Sequence, residues 1–252
     1  MSPAKAKVAF FDFASCEGCQ LTVLDALQTH IELLDAIEIL QFREAMSERD
    51  DEYQIAFVEG SCVWPSDEDR LKQIRARADI VVALGACAHL GGVNAIRNAT
   101  KPRELAEIVY HEAASRFETE GAQPIDAVIP IDAYIPGCPI DRMEFVRAVT
   151  VLLQGSLPTL PVDPVCVECK LRENQCLLLM GDSCLGPITR AGCGAICPSF
   201  GVGCEGCRGL LPEANIDSLR QRILEAGLSQ AEFQSKLNLF LSHQLSSLER
   251  SA

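Results

Sequence analysis

The sequence lacks several features that would tie it to common functions. None of its apolar runs reaches the roughly 18 residues expected of a membrane helix. After Met1-Ser2-Pro3 it enters an apolar stretch with no twin-arginine pair, signal core or cleavage site. The expectation is a soluble cytoplasmic protein without a membrane span. Basic residues are few, 22 Lys and Arg against 35 Asp and Glu, for a net charge of -13. Phosphate backbones bind basic faces, so no nucleic-acid partner is expected. No G-x-G-x-x-G fingerprint follows a strand pattern and no G-x-x-x-x-G-K loop occurs, so the chain offers no recognisable nucleotide cradle.

Cysteine, by contrast, is abundant, at 13 of 252 residues. An odd number of thiols in a reducing compartment argues for metal ligation rather than a disulfide framework. The 48% hydrophobic content is enough for a packed core.

Short apolar runs at Val8 to Phe13, Ile55 to Glu59, Ile80 to Gly85 and Ala127 to Ile135 read as strands. They alternate with helical patterns at Gln20 to Ala36, Glu68 to Arg77, Arg103 to Phe117 and Asp141 to Leu153. Such alternation predicts an α/β fold with a flavodoxin-like parallel sheet over residues 1–156. The proline-rich stretch Leu157 to Pro164 marks a boundary. Beyond it the periodicity vanishes, and eight of the 42 residues from Cys166 to Cys207 are cysteine. A segment so poor in apolar residues needs metal to organise it, so 157–212 reads as a small irregular cluster-binding domain. A helical tail, 213–252, follows, with Gly227 as a stop and Ser229 to Glu232 as a capping box; an amphipathic hairpin packed on the rest of a complex is expected.

Cys16 and Cys19 follow the first strand, Cys62 the run at Ile55, Cys87 the run at Ile80, and Cys138 the stretch ending at Ile135. The carboxyl edge of an open α/β sheet is where ligands bind, so five thiols distant in sequence can converge there. The loop before Cys19 also opens a helix, whose amides favour an anionic group. Four thiolates complete a 4Fe-4S cluster, which leaves one of the five surplus and unidentified by spacing. An isolated cysteine is more often a small buried hydrophobe than a ligand.

The later thiols run Cys166-x2-Cys169-x6-Cys176-x7-Cys184, then Cys193-x3-Cys197-Pro198-x5-Cys204-x2-Cys207. Eight thiols make two four-ligand sites. Paired knuckles serve zinc equally well, and a zinc-bearing scaffold or interaction protein is the alternative from a different class. The C-x3-C-P element is closer to a ferredoxin segment, which favours iron and sulfur.

The strings FASCEGCQL, VEGSC, ALGACAHLGGVNAIRN, PGCPID, VCVECKLRENQCLL, CLGPITRAGCGAICP and GCEGC, in this order from Val8 to Cys207, resemble the small subunits of NiFe hydrogenases. Within that family the likeness is to the cytoplasmic multimeric type, the sulfhydrogenases and NAD(P)-linked enzymes. The resemblance implies three 4Fe-4S clusters and places the hydrogen-splitting nickel-iron site in a separate large subunit. It assigns Cys16, Cys19, Cys87 and Cys138 to the proximal cluster, leaving Cys62 as a neighbour, a redox-sensitive thiol or an exchangeable ligand. It assigns Cys166, Cys169, Cys176 and Cys184 to the distal cluster, because the segment to Cys184-Leu185-Gly186-Pro187-Ile188-Thr189 looks like the family's distal motif. Cys193, Cys197, Cys204 and Cys207 are the medial set. Implied partners are the large subunit and an acceptor subunit, flavin- and NAD(P)-binding or ferredoxin-like. A complex-I-like electron-transfer subunit is the rival within the fold, and the eight later cysteines argue against it. Lys170, Arg172, Arg190 and Arg208 stand beside ligands as candidate tuners of potential; Glu17, Glu59 and His89 lie near the proximal set.

Overall fold

A computed structural model describes residues 5–116 and 120–251, without the side chains of 249–251. The chain divides into two compact units, Met1–Thr159 and Leu160–Ala252.

In the first unit five parallel strands, β1 (Ala6–Asp12), β2 (Ile37–Phe42), β3 (Ile55–Glu59), β4 (Ile80–Leu84) and β5 (Ala133–Ile135), form one sheet in the order β2-β1-β3-β4-β5. This is the flavodoxin-like order that the sequence pattern predicts. Every residue of β3 is buried, as befits a central parallel strand covered on both faces. The helices are α1 (Gly18–Thr29), α2 (Leu33–Ala36), α3 (Pro65–Arg77), α4 (Gly85–Leu90), α5 (Pro102–Tyr110) and α6 (Arg142–Leu153). On one face Phe10 stacks on Phe42 and Phe57, with centroids 4.4 and 4.9 Å apart, and Phe145 of α6 closes over Phe57 at 5.6 Å. On the other face Phe11, Ala56 and Val58 pack with Leu71 and Ile74 of α3.

Three elements depart from the sequence pattern. The helix expected from Gln20 to Ala36 breaks at His30, and β2 follows it as an edge strand that the apolar pattern did not separate from the helix. The run Ala127 to Ile135 is a strand only from Ala133, because Pro130 interrupts it and a 3-10 turn occupies Ile125–Ala127. The helix expected from Arg103 to Phe117 gives way at His111 to a 3-10 turn; Phe117 lies outside the described residues.

The second unit carries α7 (Val165–Leu171), α8 (Ile196–Ser199), α9 (Ile216–Glu225), α10 (Gln230–Phe240) and α11 (Ser242–Ser251). Apart from α8, loops and short turns lie between α7 and α9, tied by bridges from Pro164 to Arg190 and from Thr189 to Leu210. The capping box forms as expected: the Ser229 hydroxyl accepts from Glu232 N, and the Glu232 carboxylate accepts from Ser229 N at 2.7 Å. The tail packs on the cysteine-rich loops of its own unit. Lys236 pairs with Glu205, and Gln244 accepts from the Leu210 amide at 2.9 Å.

Candidate metal centres

The first centre lies at the carboxyl edge of the sheet, where the loops after β1, β4 and β5 meet. Four of its thiols form a connected set: Cys87 and Cys138 act on Cys19, Cys138 acts on Cys87, and Cys16 acts on both Cys87 and Cys138. Burial pushes the Cys87 thiol up to about 12, helped by the charges of Cys138 and Cys16. Burial likewise raises Cys19 and Cys138, with Glu59 contributing to both. A Cβ at Gly92 would come within 2.8 Å of the Cys87 Sγ, and one at Gly85 would strike the Cys19 Sγ. Glycine is therefore required where the chain passes these sulfurs.

Cys62, the fifth thiol at this edge, stands apart. Its Sγ faces the Trp64 carbonyl at 4.0 Å, and its backbone pairs with Gln123. Burial first, then Asp67 and Glu68, push it up to about 11.

Glu59, the last residue of β3, is 2% exposed, and its carboxylate accepts from Cys19 N at 3.1 Å and Gln20 N at 3.0 Å. These are the first-turn amides of α1, where a flavodoxin-like fold commonly binds an anion. Here a carboxyl group of the chain takes that place, and burial raises its pKa above the ordinary value. Glu17 precedes the helix in a left-handed conformation and is also raised, by burial and by Glu44. His89 is buried with its ring edge-on to Tyr134, at 4.6 Å.

In the second unit Cys166, Cys169, Cys176 and Cys184 form one electrostatic group: burial pushes Cys166 up to about 11, and the other three thiols add to it. Gly186 lies under two of them, since a Cβ there would sit 3.3 Å from the Cys184 Sγ and 3.5 Å from that of Cys166. The Cys184 Sγ accepts from Cys204 N at 3.2 Å, so this group abuts the loop of the next. Cys204 in turn lies in range of Cys207, while Cys193 lies on the turn leading into α8 and Cys197 within that helix.

The cations are distributed unevenly. Arg208 is 1% exposed and donates from Nε to the Ala191 carbonyl at 2.7 Å. Arg190 donates to the Pro161 carbonyl, and Arg172 lies against Gly194, whereas Lys170 is exposed. A group the sequence pattern passed over is Glu168, inside the Cys166-Cys169 pair, whose carboxylate reaches Gly192 N and Ala195 N. Its position between two candidate ligands was the available signal.

The donors suit an iron-sulfur group. Thiols crowded in this way raise one another's pKa and become thiolates only beside a strongly cationic centre. Among the described residues no three His, Cys, Asp or Glu side chains are arranged to hold a single metal ion.

Comparison with known proteins agrees with this chemistry. Residues 16–152 match the family model described as NADH ubiquinone oxidoreductase, 20 Kd subunit. The sulfhydrogenase 2 subunit delta of Pyrococcus furiosus is 34% identical over 93% of this chain and 98% of its own. An F420-non-reducing hydrogenase vhu subunit of Methanocaldococcus jannaschii is 33% identical over 81% of each chain. Among solved structures, an NAD+-reducing [NiFe]-hydrogenase chain superposes with a TM-score of 0.55 at 27% identity, over 63% of this chain and 96% of its own. A Dm. baculatum [NiFeSe]-hydrogenase chain, 17% identical, shares the fold with a TM-score of 0.59 over 81% of this chain and 94% of its own. The chain belongs to the family of NiFe hydrogenase small subunits, the electron-transfer components of a multisubunit oxidoreductase.

Proposed function

We propose that this subunit holds three 4Fe-4S clusters and relays electrons between a large-subunit NiFe site and an acceptor subunit. Cys16, Cys19, Cys87 and Cys138 hold the proximal cluster, Cys193, Cys197, Cys204 and Cys207 the medial one, and Cys166, Cys169, Cys176 and Cys184 the distal one. The carrying observation is that the second unit adds eight cysteines, four of them in one electrostatic group, beyond the part matched by the family model. A complex-I-like subunit with a proximal-type cluster alone has no use for them. When bound, each cluster supplies reversible one-electron transfer.

The chain's own residues fix where that transfer happens and at what potential. Gly85, Gly92 and Gly186 let the backbone pass close to sulfur. Glu59 satisfies the first amides of α1 and so orients Cys19. The acceptor we propose is a flavin- and NAD(P)-binding or ferredoxin-like subunit, the former in keeping with the name of the NAD+-reducing relative. A reducing compartment, the cytoplasm, suits thirteen cysteines none of which is paired in a disulfide.

The test is anaerobic purification of the complex through a tag on this chain, with iron, nickel and zinc counted per copy. About twelve irons on this chain, at about four per cluster, together with nickel in a co-purifying subunit, are expected. Zinc in place of iron overturns the cluster assignments; about four irons overturns the three-cluster relay.

A further inference from the structure

Glu168 sits between Cys166 and Cys169 on α7, so its helix carries two thiols of one set. Its side chain serves the other set. One carboxylate oxygen accepts from Gly192 N at 2.8 Å; the second accepts from Ala195 N at 3.2 Å and lies 3.9 Å from the Cys193 Sγ.

The backbone explains why an anion belongs there. Gly192, Gly194 and Ala195 have φ of 118°, 63° and 50°. Ala195 is fully buried, and a left-handed residue with a Cβ carries strain of about 1–2 kcal/mol. Successive turns of this kind point their N–H groups into a concavity that binds an anion. The Glu168 carboxylate fills it. Two cations share the neighbourhood: Arg172, against Gly194, and buried Arg208, whose charge acts on Cys193.

We propose that Glu168 is a positioning residue for the cluster held through Cys193, pre-forming that loop and lowering the cluster's potential by its fixed negative charge. The proposal rests on the assignment of Cys193 as a cluster ligand. Reduction adds an electron beside a carboxylate, which repels it. The carboxylate also engages the Gly192 and Ala195 amides, and amides that bond to cluster sulfur are what raise a potential. Glu168→Gln keeps one acceptor oxygen but removes the charge, leaving Arg172 and Arg208 to act on the site without it.

The experiment uses the whole complex, with iron counting and redox titration followed by electron paramagnetic resonance. The relevant signal is the one that Cys193→Ser alters. Glu168→Gln is expected to retain iron and to favour reduction of that cluster by about tenfold, an upward shift of about 59 mV for one electron. The signal that Cys87→Ser alters stays in place, and Glu168→Asp, which keeps the charge, stays near the wild-type midpoint. An unmoved midpoint in iron-replete Glu168→Gln overturns the proposal, as does an equal shift in Glu168→Asp. If Glu168→Gln fails to fill the site, filling by Glu168→Asp supports the proposal and failure of both overturns it. A wild-type complex with no cluster signal sensitive to Cys193→Ser overturns the ligand assignment instead, before Glu168 comes into question.

Discussion

Gly92→Ala separates backbone strain from steric damage at the proximal site. Gly92 has φ of 57°, and an added Cβ would meet the Cys87 Sγ at 2.8 Å, its Cα at 2.9 Å and its N at 3.0 Å. Ordinary contacts begin near 3.4 Å, so Cys87 must retreat by about 0.6 Å as a unit. As a ligand of the proposed cluster, the Cys87 sulfur would have no such freedom while three other thiols fix the cluster. The left-handed backbone adds about 1–2 kcal/mol. In a unit of this size each kcal/mol lowers the melting temperature by roughly 2–4 °C. Gly155→Ala is the control: φ is 76°, and no atom lies within 4 Å of the new Cβ. Both variants lose similar backbone stability, but only Gly92→Ala loses about four irons of about twelve, together with one resonance signal. Iron analysis and low-temperature spectra of the two purified complexes decide the matter. Full iron and an unchanged spectrum in Gly92→Ala would refute the placement of Cys87 at a cluster.

Cys62→Ala leaves the iron content unchanged, because Cys62 faces Trp64 and the acidic start of α3 rather than the four grouped thiols; loss of about four irons would make it a ligand. In iron-stripped protein Cys87 and Cys166, raised to about 12 and about 11, are protonated at pH 8. Their alkylation is slow there and accelerates with pH toward those values, whereas iron binding, which needs thiolates, weakens as pH falls; mass spectrometry of labelled peptides reads the first trend and chelator kinetics the second. Phe145→Ala empties a fully buried ring site beside Phe10 and Phe57 and costs about 3–5 kcal/mol, visible as a large drop in the unfolding midpoint.

Glu59 and Glu168 show where sequence pattern and tertiary structure part company. The α/β order was legible because parallel strands buried on both faces, such as Ile55–Glu59, must be continuous apolar runs. The placement of cysteines after those runs was legible for the same reason, since strand ends define one edge. Edge strand β2 was not, because Ile37–Phe42 is only partly covered and its apolar pattern merges with that of the preceding helix.

By itself the sequence determined the chemistry: thirteen thiols, their spacing, a net negative charge, and an alternation that brings Cys16, Cys19, Cys62, Cys87 and Cys138 to one end of a sheet. Only the tertiary structure decided which thiols face one another and which carboxylates sit among them. Glu59 reaches the amides of Cys19 and Gln20 across about 40 positions, and Glu168 reaches Gly192 and Ala195 across about 25. Such contacts depend on the close approach of segments joined by long loops. No local period in the chain encodes that distance.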